Sequence, residues 1–238
     1  MTIHTGVDVN ALRQAPAPAV AEALKDIASL GSFFSIELGG PDAGWHPVEE
    51  AYARGFADLV TATADRYATR ELRIGASIVQ LGHAARLWSP VLACTVVHGI
   101  VPDLTRLFRA DDGPALRLPA VPDGWYAPEI PQLTDLLYEM VMTRHLDALA
   151  AGLRVKVAPG LLAGNAASAL VEAARAVLAA RADLRDPLAD LVAGLLNTGR
   201  LAGTGKVIGP DLGFRRRSCC LYYRVPSGVK CEDCSLAG

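Results

Sequence analysis

The sequence predicts a mainly α-helical protein, α+β with minor short strands: a helical domain that ends in a cysteine-rich loop. Three observations predict it. Apolar residues recur at spacings of three and four along several long stretches, the mark of helices with one buried face. Strand signals are confined to two short runs. Four of the five cysteines stand in the last twenty residues, in "SCCLYYRVPSGVKCEDCSLAG". With 238 residues, 51% of them hydrophobic, the chain can bury a sizeable core in one large domain or two small ones.

The first helix is expected in "APAVAEALKDIASLG", with Pro18 in its first turn, Val20, Leu24 and Ile27 on one face, and Gly31 as its stop. Next comes "SFFSIEL", a short strand candidate that could pair at an edge with "ALRLPAV" farther on. The longest apolar stretch, "IGASIVQLGHAARLWSPVLACTVVHGIV", has the length of a membrane span. It carries His83, Arg86, Pro90 and His98, and charge at mid-bilayer is costly, so a buried kinked helix or helix pair is expected. Its apolar face runs through Ile78, Leu81, Ala85, Trp88 and Leu92, and Pro90 removes a backbone donor within it. The Pro- and Gly-rich segment 111–131 reads as a long connecting loop.

Three more helices follow. "PQLTDLLYEMVMTRHLDALAAG" places Leu133, Leu136, Leu137, Met140 and Val141 on one side, and Gly152 closes it. In "GNAASALVEAARAVLAARA" Asn165 is the expected cap, with Leu170, Ala174, Val177 and Leu178 inward. "DPLADLVAGLLNTG" opens on Asp186 as cap and Pro187 at the first helical position, with Leu188, Leu191, Val192 and Leu195 inward. The segment "APGLLAGNA" is the expected boundary between a helical N-terminal region, 1–157, and a C-terminal helical region, 158–238, that carries the cysteines; the two could equally form one compact domain.

A net charge of −2 gives no reason to expect bulk nucleic-acid binding. No P-loop or GxGxxG lies between a strand and a helix, so no nucleotide or flavin site is expected. The opening "MTIHTGVDVN" lacks the basic and apolar regions of a signal peptide, and a cytoplasmic protein without an integral membrane segment is expected. In that compartment thiols stay reduced, which favours metal or redox chemistry over structural disulfides.

The cysteine spacing is C-C-x10-C-x2-C, formed by Cys219, Cys220, Cys231 and Cys234. Two intervening residues let Cys231 and Cys234 point at one metal. The adjacent pair suits one small tetrahedral ion less well, since neighbouring side chains of an extended segment point to opposite faces. A binuclear cluster offers more than one direction of approach, and four thiolates are the usual complement of a [2Fe–2S] centre. Structural zinc and a redox dithiol remain alternatives on chemistry alone. Arg215, Arg216 and Arg217 precede the pair, and Arg224 lies within the loop. Positive charge there would favour a reduced cluster and offer docking points for an anionic substrate or an acidic donor, although a solvated basic loop has the same composition.

With these residues in view, "FRRRSCCLYYRVPSGVKCEDCSL" resembles the C-terminal signature of the FhuF-like ferric-siderophore reductases. "RLWSPVLACTVVHGIVPDL" and "VAPGLLAGNAASAL" are similar to further segments of that family, so the resemblance spans roughly 72–236. It implies that Cys219, Cys220, Cys231 and Cys234 bind a [2Fe–2S] cluster and that a ferric siderophore is the substrate. It also implies a separate electron donor such as a ferredoxin or a flavin reductase. One departure is Ala163, where the family tends to have tryptophan. The alternative from a different class is a zinc-stabilised binding or assembly module without redox activity. Arg86 and Trp88, with His83, are candidates to line a substrate or donor site, though a satisfied core residue is the simpler reading. Cys94, isolated in an apolar run, reads as a buried small hydrophobe, and His4, His46 and His145 lack metal-ligand spacing.

Overall fold

The computed structural model describes residues 9–120, 122–130 and 132–236. In chain order, helix α1 (Ala17–Ile27) precedes strands β1 (Glu37–Leu38) and β2 (Trp45–Pro47). Helices α2 (Val48–Ala53), α3 (Ala57–Arg66) and α4 (Leu72–His98) follow. Four short strands come next: β3 (Ile100–Pro102), β4 (Phe108–Ala110), β5 (Leu116–Leu118) and β6 (Gly124–Tyr126). Helix α5 (Gln132–Tyr138) runs through a π-helical stretch, Glu139–Leu146, into α6 (Asp147–Gly152). Helices α7 (Pro159–Ala180) and α8 (Arg185–Leu196) lead to strands β7 (Gly205–Ile208) and β8 (Gly213–Arg216). His4 lies outside the described residues.

The expected mainly helical fold is what the chain adopts. Helices α4 and α7 form its spine, packed on one another more extensively than any other pair. Leu87, Trp88, Val91 and Leu92 of α4 and Leu170, Val171, Ala174 and Val177 of α7 are fully buried in one continuous core. That core also takes residues from α1, α2, α5 and α8, so it draws on both 1–157 and 158–238. Alanine at 166, 167, 173 and 174 keeps this face of α7 thin enough for close helix contact. Helix α7 is long and apolar enough to cross a membrane by length and composition, but 72% of its apolar window is buried inside the protein, as in a core helix.

The strands are peripheral. Four form one sheet in the order β1-β5-β4-β2, in which β1 pairs parallel to β5 and the other pairs are antiparallel. The two strand candidates of the sequence thus pair with each other, with β1 at the edge. Strands β3 and β6 form a two-stranded ribbon, and β7 and β8 another.

Several local expectations change. Residues 111–131 are not one connecting loop, because they contain β5 and β6. The stretch around Pro90 is one continuous helix rather than a pair, and it stops only at Gly99, whose φ of +65° supplies a left-handed cap. Asn165 caps nothing: α7 starts at Pro159, and Asn165 sits in its first two turns with a fully buried side chain. Asp186 stands in the first turn of α8, after the cap position, which Leu184 holds. The apolar face expected on α4 is only half right. Trp88 and Leu92 are buried, whereas Ile78, Leu81 and Ala85 are half-exposed and Ser77, Gln80 and His83 point inward instead.

Candidate metal centre

The β7–β8 hairpin delivers the chain to the cysteines. Its register pairs Gly205 with Arg216, and Arg217 N–H donates to Thr204 O at 2.8 Å just beyond. Leu221 then turns the chain with φ +70°, and the CxxC closes as a turn in which Cys234 N–H donates to Cys231 O at 3.1 Å. The result places one member of the adjacent pair against one member of the CxxC. Cys220 Sγ lies 3.1 Å from Cys231 Sγ, and Cys219 interacts with Cys234. Each member of the adjacent pair thus has a partner in the CxxC. Backbone N–H groups are aimed at two of the sulfurs, Leu221 at Cys219 (3.3 Å) and Leu236 at Cys234 (3.4 Å).

This loop is anchored to the spine through polar side chains. Ser77 Oγ on α4 donates to Cys220 O at 2.7 Å. Asn165 Nδ2 on α7 donates to Ser77 O at 3.0 Å and Ser77 Oγ at 3.1 Å, while its Oδ1 accepts from Arg216. The Arg216 Nε lies 3.8 Å from Asp233 Oδ2, and its backbone N–H donates to Asp233 O at 3.0 Å. Ser168 Oγ, one turn along α7 from Asn165, donates to the same Asp233 carboxylate. Asp233 lies between the two cysteines of the CxxC, so the chain of bonds reaches both cysteine pairs. Gly164 makes the approach of α7 possible, since a Cβ there would collide with Ser218 Oγ.

All four thiols are free, with Cys220 and Cys234 buried and Cys219 and Cys231 half-buried. Burial pushes Cys219 up, and burial together with the hydrogen bond and charge of Cys220 takes Cys231 up to about 12. Crowded thiols of this kind ionise readily only with a strongly positive group among them. Among the described residues no three His, Cys, Asp or Glu side chains gather closely enough to hold a single metal ion. The thiols meet in two pairs instead, and two pairs suit a centre with two irons. The residues present therefore fit a [2Fe–2S] group by number, donor type and pairing.

The basic residues of the tail do different things. Arg215 Nη1 donates to Cys234 O at 3.3 Å, which sets a cation against the loop. Arg217 is exposed. Arg224 Nη2 pairs with Glu71 Oε1 at 2.8 Å and ties the loop to the start of α4. Arg216, only 2% exposed, faces inward and offers no surface to a docking partner; its guanidinium is the anchor just described. Trp88, at 0% exposure, is likewise part of the core. Tyr222 packs edge-on against Tyr67 at 5.5 Å between ring centres, which covers one side of the loop. Sequence reasoning missed Ser77, Ser168 and Asp233 altogether, and it assigned Asn165 and Arg216 other roles. The only available signal was a set of small polar residues interrupting the apolar faces of α4 and α7.

A second polar cluster lies inside the body. His145 Nε2 donates to Leu104 O at 3.1 Å, because a carbonyl can only accept. Its Nδ1 must then accept from the Tyr52 hydroxyl, 2.9 Å away. Tyr52 in turn accepts from His83 Nε2 at 2.7 Å, which leaves His83 Nδ1 without a proton. Burial holds all three neutral: it takes His145 down to about 3, His83 well below its ordinary value and Tyr52 well above.

These features define an iron–sulfur type of tail on a helical body. The comparisons agree with that class. Residues 216–236 match the family model of the FhuF 2Fe-2S C-terminal domain, which supports a [2Fe–2S] cluster as the cofactor of the tail. No curated protein and no solved structure is similar enough to match the chain.

Proposed function

We propose that this protein is a cytoplasmic ferric-siderophore reductase. The observation that carries the reading is the match of 216–236 to the FhuF 2Fe-2S C-terminal domain, on a tail whose four free thiols are gathered in pairs. In this reading Cys219, Cys220, Cys231 and Cys234 hold the cluster. When bound, such a cluster supplies one electron at a time, which suits conversion of chelated Fe(III) to Fe(II), a poorer match for the hard oxygen donors of a siderophore. Segment 158–238 would then carry the redox tail, and 1–157 the rest of the helical body.

The chain's own residues hold, bias and shield the group. Ser77, Asn165, Ser168, Arg216 and Asp233 fix the loop to α4 and α7. Arg215, donating to Cys234 O, places positive charge where a reduced centre gains negative charge, which raises its potential. Arg217, exposed at the mouth of the hairpin, is a docking point for an anionic chelate or for an acidic donor such as a ferredoxin or a flavin reductase. No general acid or base is needed for a one-electron step to iron.

The test is an absorption spectrum of anaerobically purified protein, with iron, sulfide and zinc assayed on the same sample. Broad visible bands that bleach with dithionite and return on adding a ferric siderophore support the reading. Cys219→Ser and Cys231→Ser are each expected to remove the bands and the activity together. A colourless protein with about one zinc per chain, unchanged by iron and sulfide reconstitution, would establish the structural-zinc alternative in its place.

A further inference from the structure

The charge of the chain is divided unevenly. Segment 199–236 holds seven lysines and arginines against three acidic residues, a net of +4 in a chain whose total is −2. Its two exposed acids are turned back on the body: Asp211 pairs with Arg185 of α8 at 3.3 Å and Glu232 with Arg175 of α7 at 3.0 Å. The third, Asp233, is the buried partner of Arg216. Arg224 is answered by Glu71, and Arg86 stands apart on α4, held over the Phe33 ring at 4.7 Å. Among the described residues, Lys206 and Arg217 are exposed with no acid paired to them, and Lys230 Nζ donates to a carbonyl, Leu236 O, at 2.7 Å.

These cations share one face with the cysteine loop. Phe214 and Arg216 of β8 are buried, so Arg215 and Arg217 fall on the outer side of the β7–β8 ribbon. Lys206 stands opposite Arg215 in the register and joins that side. Ile208 follows two residues on, roughly 7 Å along the strand. The same side abuts the CxxC, because Arg215 Nη1 donates to Cys234 O at 3.3 Å. Leu236 continues the surface, its N–H aimed at Cys234 Sγ and its carbonyl holding Lys230. Val229, 67% exposed, precedes Lys230, and Ile208 and Leu236 are about half-exposed. The face thus sets exposed apolar side chains among cations that lack carboxylates, beside the half-buried Cys231.

That composition suits a protein surface with carboxylates around an apolar centre. A small chelate takes a concave site, which the outer face of a ribbon does not supply. A bilayer would cover the loop and shut out a soluble chelate, whereas a protein that docks and leaves does not.

We propose that this face is the docking surface for an acidic electron-transfer protein, which is oxidised by one electron as the tail is reduced by one. No proton or group moves in the exchange. That the partner carries electrons rests on the reductase reading; that it is acidic rests on the charge of the face.

The probe is an acidic plant-type [2Fe–2S] ferredoxin, oxidised for binding and reduced for electron transfer to the cluster-loaded protein. Binding of oxidised ferredoxin, measured calorimetrically, is expected to weaken at least tenfold between about 20 mM and about 300 mM salt. Lys206→Glu combined with Arg217→Glu is expected to weaken it about tenfold or more at low salt and to slow reduction by ferredoxin in proportion. Photoreduction by uncharged 5-deazariboflavin should keep its wild-type rate in the same variant. Lys25→Glu combined with Arg54→Glu makes the same change of net charge on exposed body residues and is the control, with wild-type binding expected. Ile208→Ser is expected to weaken binding several-fold at both salt concentrations, since its contribution is apolar. Wild-type affinity in the Lys206 and Arg217 variant, indifference to salt, or full affinity for ferredoxin whose carboxylates have been amidated overturns the proposal. Protein that ignores ferredoxin but sediments with phosphatidylglycerol vesicles would assign the face to a membrane instead. The reductase reading fails in a different measurement: a reduced protein that no ferric chelate reoxidises, a result that leaves ferredoxin binding intact.

Discussion

In the body, α4 and α7 meet through Leu87, Trp88, Val91, Leu170 and Val177, all fully buried and none hydrogen-bonded through its side chain across the contact except at their tail-proximal turns. In the tail, residues 217–236 contain no strand and only one short 3-10 turn, Tyr222–Arg224. Its buried apolar members are few: Cys220, Val225 and Cys234. What fixes it is the line of bonds from Cys220 O through Ser77, Asn165 and Arg216 to Asp233 and Ser168. Apolar packing is non-directional and tolerant of small shifts, whereas hydrogen bonds fix orientation. A group held by four side chains needs those side chains oriented, so the polar line is the appropriate support for the tail and a poor one for the body.

The comparison is broken most strongly at Asp233. Replacing it with alanine leaves Arg216, whose side chain is 1% exposed, without its carboxylate, and orphaning a buried charge costs about 3 kcal/mol or more. The body meets this carboxylate through Ser168 and is otherwise held by apolar packing, so the loss should fall mainly on the tail. Asp233→Ala is expected to lose its cluster on mild warming or chelation while the far-ultraviolet helical signal keeps its wild-type transition. If both signals fall together, the tail and the spine unfold as one unit and the contrast drawn here is wrong.

How much of this could be read from the sequence follows the same division. The inward residues of α1, α5, α7 and α8 were legible because apolar periodicity reports burial wherever burial is apolar. The pairing of the two strand candidates was legible from composition and flanking turns. The cysteine constellation was legible from spacing alone. What failed were the buried polar positions. Ser77, Gln80 and His83 broke the apolar pattern, so the inward face of α4 was placed on Ile78, Leu81 and Ala85. Asn165 is a good cap residue, so it was given a helix start that belongs to Pro159. Their actual partners, such as Cys220 for Ser77, lie 143 residues away in the chain, and no local pattern carries that information. Arg216 misled for the same reason: within a run of three arginines nothing marks the middle one as buried.

A smaller effect should come from inside the body. His83 and His145 are buried and neutral, and burial is the main cause of both depressed pKa values. The unfolded chain takes up protons near the ordinary value of 6.5, whereas the folded chain refuses them until far lower pH. The stability contributed by these histidines is therefore complete above pH 6.5 and is lost as pH falls toward about 3, where His145 protonates in the fold. At pH 5 the loss is about 2 kcal/mol for His145, and His83 adds to it in the same direction. Denaturant midpoints of the wild type at pH 7.5 and pH 5 measure it, and His145→Gln is expected to remove roughly half of the difference. A midpoint independent of pH over this range would mean that the Tyr52 cluster opens and becomes solvated before the fold does.

The smallest effect is expected at the fifth cysteine, and it tests where the tail's reach ends. Cys94 is fully buried on α4, and burial lifts its thiol to about 12, so it behaves as a small apolar side chain. It stands 17 residues beyond Ser77, roughly 25 Å along the helix from the point where α4 touches the cysteine loop. At that separation its sulfur can neither serve in the loop nor replace a missing ligand there. Cys94→Ala should cost about 1 kcal/mol for the small void it leaves and should leave the visible spectrum unchanged. The spectrum is the sharper of the two measurements, because the stability loss follows from burial alone. Weakened bands in Cys94→Ala, or residual bands in Cys219→Ser that vanish when Cys94 is also removed, would mean that a body cysteine can exchange with the tail, and the separation of the two regions would not hold.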